Sequence, residues 1–413
     1  MKAPSSTLTI VLLGLLTAIV PFSIDMYLPG FTDIARTYET SVARVSLTLS
    51  SFFIGIGIGQ LVYGPLLDRF GRLRPLYIGL LVYCAASVGC AVAPSLDTLI
   101  ALRFLQAAGA CSASIAATAM VRDLFPPQDN AKIFSYLILV LSVSPMLAPT
   151  IGSVLSAALG WRSIFIVLAG LIVLIALGVR LFLRGSKGPD VHYSLRPASI
   201  LRTYRSVLRE PVFLLYAVLS AIGLAGLFTY IASSPGVFME HFGLSQQQYG
   251  ILFAFLASGL IIAAQVNTVL LRRFRSAVII RWAFGAQVLL AAIYVLLAAG
   301  QRDGLEVSIG LLFFYLAAAG LIMPNATALA MRPFSTHAGS ASALLGFVQM
   351  GLGSVVTVVI GLLAIRSALP MAACMLGGSV IGLLLLLLGT RAQRQKKSAS
   401  LTVQEALVAE DQM

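Results

Sequence analysis

Two ionisable residues lie inside long apolar segments, where a charged side chain is unfavourable. Asp25 lies near the end of the apolar segment at residues 8–29, and Arg103 lies near the start of the segment at residues 98–119. A charge near the centre of a bilayer costs about 2.5–3.5 kcal/mol on insertion scales, so such residues normally face a cavity and mark a transport path. We therefore predict that Asp25 takes up and releases a proton and that Arg103 tunes this reaction.

The chemistry of this site rests on two opposed effects on the Asp25 carboxyl group. Burial favours its neutral form, whereas a neighbouring guanidinium favours its charged form. Where the two effects nearly cancel, a change in access to water changes the protonation state. Pro21 and Pro29 flank Asp25 and remove backbone donors, and irregular backbone at membrane depth survives only beside protein or a water-filled cavity. The alternative is a static ion pair that fixes the first segment to the fourth.

The composition of the whole chain limits the kind of fold that can position these residues. Of its 413 residues, 59% are hydrophobic and 10% are charged, against about 25% charged residues in soluble proteins. A soluble enzyme and a disordered chain are therefore excluded. The net charge of +13 would suggest nucleic acid in a soluble protein. Membrane proteins, however, collect Lys and Arg on one side, so we expect no nucleic-acid partner.

The apolar segments predict an all-α membrane protein with twelve transmembrane helices in two six-helix halves. A helix needs about 20 apolar residues to cross the hydrocarbon core. The segments of this kind lie at about 8–29, 46–67, 75–94, 98–119, 133–157, 163–183, 212–232, 248–270, 277–299, 306–330, 339–363 and 369–390.

The basic residues predict how these spans are oriented. If both termini are cytoplasmic, 22 of the 28 Lys and Arg residues lie on the cytoplasmic side, five lie on the other side and Arg103 lies in a span, as the positive-inside rule requires. At 1.5 Å per residue, Asp25 and Arg103 then lie roughly 6 and 8 Å below the same membrane face. We therefore predict that the two side chains pair, with Gln106 one turn deeper on the same side of its helix.

The chain divides into four predicted parts. These are a six-span half at 1–183, a linker rich in glycine and proline at 184–211, a second six-span half at 212–390, and a polar tail at 391–413 that we predict to be disordered. Leu-Leu-Asp-Arg-Phe at 66–70, after the second span, returns as Leu-Leu-Arg-Arg-Phe at 270–274, after the eighth. Two such halves suggest a parallel repeat about an axis along the membrane normal.

No pattern for metal, disulfide or covalent chemistry is visible in the sequence. The four cysteines lie in apolar segments and the three histidines lie in loops; they are Cys84, Cys90, Cys111, Cys374, His192, His241 and His337. Buried cysteine behaves as a small apolar residue, so we expect no disulfide, no metal and no cofactor. The chain also lacks a Ser/His/Asp arrangement and a phosphate-binding loop, so an enzyme is not predicted.

Polar and aromatic residues within the spans are candidates for substrate contacts. They are Tyr27, Gln106, Phe228, Tyr230, Gln265, Asn325, Gln349 and Met350. Amides are costly against lipid and are therefore expected to face inward, whereas the aromatic residues could equally belong to the core or face lipid. An apolar cavity with few polar groups suits amphipathic, drug-sized molecules, and the absence of a buried charge in the second half argues against a strongly ionic substrate.

The loop after the second span carries a longer motif. Residues 64–75 are Gly-Pro-Leu-Leu-Asp-Arg-Phe-Gly-Arg-Leu-Arg-Pro, and this resembles the G-x-x-x-D-R-x-G-R-R/K signature loop of the major facilitator superfamily, with Leu73 where a basic residue is usual. In the fourth span, Arg-Phe-Leu-Gln-Ala-Ala-Gly at 103–109 is similar to the R-x-x-Q-x-x-G pattern of drug exporters in that superfamily.

Shorter segments narrow the resemblance. They are Asp-Met-Tyr-Leu-Pro at 25–29, Arg-Asp at 122–123, Gly-Trp-Arg-x-x-Phe at 160–165, Met-Pro-Asn-Ala at 323–326 and Gly-Ser-Ala-Ser-Ala at 339–343. Together they resemble the bicyclomycin and chloramphenicol resistance (Bcr/CflA) family of drug:proton antiporters. The fifth span departs from the family's G-x-x-x-G-P-x-x-G-G motif, because residues 144–153 are Ser-Pro-Met-Leu-Ala-Pro-Thr-Ile-Gly-Ser.

The resemblance implies a fold, a location and a mechanism. It implies the major facilitator fold in the bacterial inner membrane and proton-driven export, by alternating access, of small amphipathic compounds such as amphenicol- or bicyclomycin-like drugs. Asp68 would cap the N-terminus of the eleventh span near Gly339, since a carboxylate is favoured at the positive end of a helix. The implied gating residues are Gly64, Asp68, Arg69, Gly71, Arg72, Asp123 and Gly339. The expected partners are a substrate, protons and the lipid bilayer, and we expect a monomer.

Two alternatives remain open at this point. The same fold could export an endogenous metabolite, such as a sugar, purine or amino acid derivative. A chain of a different class would be a non-transporting membrane scaffold or receptor, against which the two buried charges argue.

Overall fold

The computed structural model describes residues 6–183, 188, 195–334, 338–363 and 367–410. The secondary structure of this part of the chain is helical. The α-helices are α1 (Ser6–Asp25), α2 (Phe31–Thr37), α3 (Val42–Val45), α4 (Leu47–Phe70), α5 (Leu73–Ala91), α6 (Leu96–Leu124), α7 (Pro127–Leu159), α8 (Arg162–Phe182), α9 (Pro197–Leu208), α10 (Pro211–Ser234), α11 (Gln246–Leu270), α12 (Ser276–Ala299), α13 (Leu305–Met331), α14 (Ala338–Leu362) and α15 (Ala368–Glu410). A 3₁₀ turn at Leu28–Gly30 joins α1 to α2, and a π-helical turn at Pro235–His241 extends α10.

Within these described residues, twelve helical segments are long and apolar enough to cross a membrane. Each coincides with one of the twelve predicted spans, so the predicted fold class is confirmed. Two segments extend furthest beyond their predicted ends. The first continues through the 3₁₀ turn to Thr37, and the seventh continues through the π-helical turn to His241. His241 therefore ends a helical segment instead of lying in a loop, and its Nε2 lies 3.7 Å from Asp303 Oδ2.

The spans pack as two groups of six with the same internal arrangement. In the first group, α6 packs against α1, α4 and α5, while α5 also packs against α8, and α1 against α7. In the second group, α13 packs against α10, α11 and α12, while α12 also packs against α15, and α10 against α14. Each of these contacts of the first group thus returns six spans later. This repetition supports the proposed division into halves at 1–183 and 212–390.

Small residues allow the close helix contacts within a half. Gly79 of α5 and Gly109 of α6 face each other, and a Cβ added at Gly109 would lie 2.6 Å from the carbonyl oxygen of Gly79. Helices in lipid associate largely through such close backbone approach. The buried apolar side chains that surround these contacts form one large cluster, and a smaller cluster lies in the second half.

The two halves meet along two helix pairs, α4 with α14 and α7 with α11. At the first pair, Ser50 donates a hydrogen bond to Thr357 Oγ1 over 2.7 Å, and the rings of Phe53 and Phe228 stack with their centroids 4.1 Å apart. Near the ends of α4 and α6 and the start of α14, the halves separate around a cavity. We call this end of the molecule the basic face, because the last turns of α4 and α6 and the loops after α4 and α11 carry Arg69, Arg72, Arg122, Arg272, Arg273 and Arg275.

The region between the halves contains a helix that the sequence prediction of an irregular linker missed. The first part of that linker, 184–187 and 189–194, lies outside the described residues, but α9 follows it. One side of α9 carries the buried Val207 and the half-buried Ile200 and Tyr204, while its arginines are exposed. This helical period of apolar residues is typical of an amphipathic helix.

A hydrogen bond fixes α9 to a defect in α4. Pro65 lies inside α4 and has no N–H, so the carbonyl of Leu61, four residues earlier, lacks its helical donor. The hydroxyl of Tyr204 donates to this carbonyl oxygen over 3.0 Å. The linker helix therefore satisfies a backbone acceptor of the second span.

The end of the chain also differs from the prediction. The tail was predicted to be disordered from residue 391, whereas α15 continues to Glu410. The segment is rich in Ala, Gln, Lys, Leu and Glu, which are good helix formers, and this local preference accounts for the longer helix.

The bond between Tyr204 and Leu61 gives a testable prediction about stability. Tyr204→Phe removes the hydroxyl donor and should lower the free energy of unfolding by about 1 kcal/mol, the usual value of one hydrogen bond. In a Pro65→Ala background, the new N–H of residue 65 satisfies the Leu61 carbonyl, so the same substitution should cost little. Chemical unfolding of the four proteins in detergent, treated as a double-mutant cycle, measures this coupling.

The control for this cycle is Tyr136→Phe, since Tyr136 is 41% exposed on α7. The free energy of unfolding of the Tyr136→Phe variant should equal that of the parent protein. An equal cost of Tyr204→Phe with and without Pro65 would contradict the assigned hydrogen bond.

Candidate functional site

The Asp25 carboxyl group lies buried at the boundary between the two halves. It belongs to the last residue of α1 and is 4% exposed. Among the described residues, none forms a hydrogen bond or ion pair with it. It interacts electrostatically with the hydroxyls of Tyr230 on α10 and Tyr249 on α11. The acid therefore faces the second half of the protein.

The Arg103 guanidinium lies in the interior of the first half and is fully buried. Its Nη1 donates to Gln106 Oε1 over 2.5 Å, and its Nη2 donates to the carbonyl oxygen of Ser23 over 2.9 Å. The charged group also lies over the rings of Phe52 and Tyr27, at 4.2 and 4.8 Å from their centroids. Cation–π contacts of this kind gain strength when the cation is shielded from water.

The predicted ion pair between Asp25 and Arg103 is not present in the structure, which describes both side chains. As predicted, Arg103 lies at about the same level as the end of α1, since it donates to the backbone carbonyl of Ser23. Residues two apart on an α-helix, however, point about 200° away from each other. Asp25 is therefore turned towards the second half while the Ser23 side of α1 faces Arg103.

A chain of hydrogen bonds extends from Arg103 through the first half. Gln106 Nε2 donates to Ser87 Oγ over 2.7 Å, and the hydroxyls of Ser23 and Tyr83 lie 2.6 Å apart. These bonds join α1, α5 and α6. A buried network of this kind is rigid as long as its members stay paired, so Arg103 and Gln106 hold the helix that carries Asp25.

Two of the predicted substrate contacts belong to this packed interior. Tyr27 and Gln106 are both fully buried. The Tyr27 hydroxyl accepts a hydrogen bond from Thr48 Oγ1 over 3.2 Å, and its ring packs against Phe165 at 5.2 Å between centroids. Both residues therefore act in the packing of the first half.

Three other predicted residues lie where the halves meet. Phe228 stacks on Phe53, and Tyr230 packs on Phe253 with ring centroids 5.4 Å apart. The Tyr230 hydroxyl is buried without a hydrogen-bond partner among the described residues. Met350 of α14 lies beside Gly57 of α4. These side chains form the middle of the interface, between the Asp25 level and the cavity at the basic face.

The remaining predicted residues belong to the second half. Asn325 Nδ2 donates to Asn267 Oδ1 over 2.6 Å, and Gln349 Nε2 donates to Ser220 Oγ over 2.7 Å. Both amides are thus turned inward, as predicted. Gln265 is instead exposed, beside the exposed Ile262 and Val266. It lies five residues from the end of α11, where a long polar side chain can reach the membrane interface.

The cavity at the basic face has a volume of about 630 Å³. The residues that line it on α4, α6, α9 and α14 include Gln60, Gly64, Asp68, Arg72, Arg122, Asp123, Ser199, Thr203, Tyr204, Gly339, Ser340 and Ser342. Its volume falls within the range of sites for drug-sized molecules, about 300–1,000 Å³. It lies between the two halves.

A charge cluster forms the first-half wall of this cavity. Arg72 Nη1 lies 2.6 Å from Asp68 Oδ1, and Arg72 Nε lies 2.8 Å from Asp123 Oδ2. Burial of the guanidinium opposes its charge, but the bonds with Asp123 and Asp68 outweigh this effect and raise the pKa of Arg72 above its usual value. The half-buried Arg69 is the next residue after Asp68. Of the predicted cluster, Asp68, Arg72 and Asp123 are thus in contact within the first half.

The predicted cap of α14 by Asp68 is not formed in this structure. Asp68 binds Arg72 instead, and none of the described hydrogen bonds joins it to Gly339 or Ser340. The physical reason is the cavity, since both Asp68 and Gly339 line it. Gly71, also in the predicted set, ends α4 with φ +79°, a conformation that favours glycine.

At the opposite face, the two halves are in contact. Gln246 Nε2 at the start of α11 donates to Asp33 Oδ2 of α2 over 2.6 Å. A surface depression of about 750 Å³ lies nearby and is lined by residues such as Arg36, Glu39 and His241. The structure therefore shows halves joined at this face and around the Phe53–Phe228 stack, and separated at the basic face.

Sequence reasoning missed several residues of the interface. Phe53, Ser50, Thr357 and Tyr249 make contacts between or beside the halves. The small polar residues of α4 and α14 carried a weak signal, since hydroxyl groups in spans often bond across helices. For Phe53 there was none, because an apolar aromatic residue in a span does not reveal its direction.

Twelve spans in two matching groups, with a central cavity reaching one face, define a transporter of small molecules and not an enzyme. The sequence profile of the Major Facilitator Superfamily matches residues 13–358, and the chain belongs to this superfamily.

Similar proteins agree with this assignment. The chain is 34% identical to the uncharacterized MFS-type transporter YdgK of Bacillus subtilis, over 90% of this chain and 92% of that protein. It is 31% identical to a chloramphenicol resistance protein of Pseudomonas aeruginosa, with 88% and 86% covered. It is 28% identical to a bicyclomycin resistance protein homolog of Haemophilus influenzae, with 89% and 92% covered.

The fold is similar to that of a solved transporter. A bacterial homolog of the human lysosomal transporter Spinster, in an inward-facing and occupied conformation, superposes with a TM-score of 0.69 at 17% identity, over 95% of this chain and 98% of that one.

Contact between the halves gives a prediction about conformation. A Cβ at Gly353 would overlap the Phe228 ring, whereas a Cβ at Gly351 meets no atom within 4 Å. Overpacking of this kind costs about 1–3 kcal/mol, so Gly353→Ala should disfavour the conformation that is open at the basic face. The measurement is the rate at which a cysteine introduced at Ser342, in the cavity wall, reacts with a water-soluble maleimide. This labelling rate should fall in Gly353→Ala.

Gly351→Ala is the matched control and should leave the labelling rate unchanged. Adding Phe228→Leu to Gly353→Ala relieves the overlap and should restore the rate. If Gly353→Ala and Gly351→Ala label alike, the Phe228 contact does not set this equilibrium.

Proposed function

We propose that the protein exports small amphipathic compounds in exchange for protons, by alternating access. The observation that carries this proposal is Asp25, a carboxyl group buried at the boundary of the halves without a hydrogen-bond or ion-pair partner among the described residues. A buried charge without compensation is unfavourable, whereas a neutral acid is tolerated. Asp25 is thus suited to carry a proton while the interface is closed around it.

The substrate class follows from the cavity and from the relatives. The cavity lies between the halves and combines apolar residues with a few polar and charged ones. Two similar proteins are named for resistance to chloramphenicol and to bicyclomycin. We therefore propose amphenicol- or bicyclomycin-like drugs as substrates. Of the predicted contacts, Phe228, Tyr230 and Met350 have the best position to meet a substrate, because they lie at the interface above the cavity.

The cycle couples the protonation of Asp25 to the separation of the halves. With Asp25 neutral, the interface around it can close, and the basic face is open, as in this structure. With Asp25 charged, closure would bury an uncompensated carboxylate, so separation at this level is favoured. Protonation from the opposite face thus favours return to the state that is open at the basic face, and release of the proton lets that state bind a compound for export. Arg103 keeps its proposed coupling role indirectly, by holding the end of α1 through Ser23.

The charge cluster is proposed to act in the other half of the cycle. When the cavity at the basic face closes, Asp68 approaches Gly339 and Ser340 at the start of α14. A carboxylate is stabilised at the positive end of a helix, so Asp68, supported by Arg69, Arg72 and Asp123, would hold the halves together in that state.

The proposed location is the bacterial inner membrane with the basic face and both termini in the cytoplasm. The support is the positive-inside rule, applied to the loops that adjoin α4, α6 and α11 at the basic face. We propose that the protein works as a monomer, since the cavity is built by one chain.

Replacement of the proton carrier tests the proposed coupling. Asp25→Asn keeps the size of the side chain but cannot exchange a proton. We expect proteoliposomes with this variant to lose pH-gradient-driven accumulation of chloramphenicol, while exchange of labelled for unlabelled chloramphenicol continues. Asp97→Asn, which changes an exposed acid at the start of α6, is the control and should keep both activities.

Each proposal fails on a different result. Gradient-driven accumulation by Asp25→Asn would refute the coupling role of Asp25. Exchange of sugars, purines or amino acid derivatives in place of drugs would favour export of an endogenous metabolite, the remaining alternative on the same fold.

A further inference from the structure

A second cavity lies beside α9, next to the cavity between the halves, with which it shares Pro65, Ile200 and Tyr204, and its lining is apolar. It has a volume of about 530 Å³ and is lined by Leu61, Val62, Pro65 and Leu66 of α4 and by Leu195, Pro197, Ile200, Leu201 and Tyr204 of the linker. We call it the α9 groove. Its walls are fixed relative to each other by the hydrogen bond from Tyr204 to Leu61.

The α9 groove opens towards the space that lipid occupies around the protein. Val62 is 47% exposed and Leu201 is 67% exposed. Both belong to the lining, so each presents apolar surface at the mouth of the groove. Pro65 lies five residues before the end of α4, which is roughly 7.5 Å along the helix. This depth corresponds to the boundary between acyl chains and headgroups.

Three exposed arginines lie on the side of α9 next to this mouth and at the residue that follows the helix. Arg202, Arg205 and Arg209 are all exposed. Arg205 lies four residues after Leu201 and is therefore its neighbour on the helix surface, and Arg202 and Arg209 continue the same basic side. An apolar groove bordered by guanidinium groups matches a molecule with a hydrocarbon chain and an anionic head. Guanidinium groups bind phosphate oxygens in a bidentate manner.

We propose that the α9 groove binds an anionic phospholipid from the leaflet at the basic face. One acyl chain packs against Leu61, Val62 and Leu201, and the headgroup phosphate binds the arginines of α9. Basic pockets beside transmembrane helices select anionic headgroups. This site does not involve Asp25, and its test measures bound lipid and not transport, so the test is independent of the proposed transport function.

The first experiment tests the charge. Full-length protein in mild detergent is titrated with phosphatidylglycerol or phosphatidylcholine, and bound lipid is counted by native mass spectrometry. The parent should prefer phosphatidylglycerol. The triple variant Arg202→Gln, Arg205→Gln, Arg209→Gln should lose about fivefold in this preference for each arginine, since a basic residue near an anionic surface is worth about 1 kcal/mol.

The matched control removes three exposed arginines from the loop after α11, as Arg272→Gln, Arg273→Gln, Arg275→Gln. These residues lie at the same face but outside the α9 groove. The proposal predicts that this variant keeps the preference. An equal loss in both triple variants would mean general attraction to a basic surface and would overturn the proposed site.

The second experiment tests the groove. Leu201→Ser changes an exposed leucine that lines it, and Leu208→Ser changes a leucine that is 39% exposed on the same helix and does not line it. We expect Leu201→Ser to weaken binding of phosphatidylglycerol about threefold or more, and Leu208→Ser to leave it near the parent value. Equal effects of the two substitutions, or no preference for phosphatidylglycerol in the parent, would show that α9 only rests on the membrane surface and would refute the proposal.

Discussion

A charged group inside hydrocarbon must either be compensated by the protein or be neutralised by a change in protonation. The two buried ionisable residues of this protein differ in this respect. Arginine cannot shed its proton, and Arg103 accordingly has the Ser23 carbonyl, the Gln106 amide and aromatic ring faces around it. Aspartic acid can take up a proton, and Asp25 has no such partner among the described residues. The contrast separates a permanent structural cation on α6 from an acid on the neighbouring helix α1 that is able to exchange a proton. In the proposed cycle, the contact of the halves around Asp25 and the opening of the basic face both depend on this difference.

Much of the fold could be predicted from the sequence, because the bilayer fixes the length and apolarity of every span. The orientation of side chains around each span could not be predicted. The predicted common level of Asp25 and Arg103 agrees with the structure, because the level depends on the residue number along each helix. The predicted ion pair was wrong, because pairing also depends on the rotation of α1 about its axis. The prediction that Gln265 faces the interior was wrong for the same reason, because its direction depends on the rotation of α11. α9 was missed because its apolar residues are few and surrounded by glycine, proline and arginine, which favour the prediction of a linker.

In the proposed cycle, the signature loop serves two conformations with one short motif. In this structure Arg72 is shared by Asp68 and Asp123 on one side of a cavity, and the start of α14 lies on the other side. The same carboxylate that binds Arg72 is the one suited to the α14 terminus. A motif of this kind does not need new groups for the second state, because it changes the partner of groups that are already charged and already in place.

The two contacts between the halves are related by the internal repeat. Moving six spans along the chain exchanges α4 with α11 and α7 with α14, so the pair α4–α14 becomes α11–α7, which is the other contact that is present. This is the geometry of an isologous dimer, in which the same patch of each subunit meets its partner. A six-helix ancestor could have formed the whole assembly by pairing with its own copy, and fusion of the two genes would then have freed one copy to acquire an acid that the other does not carry.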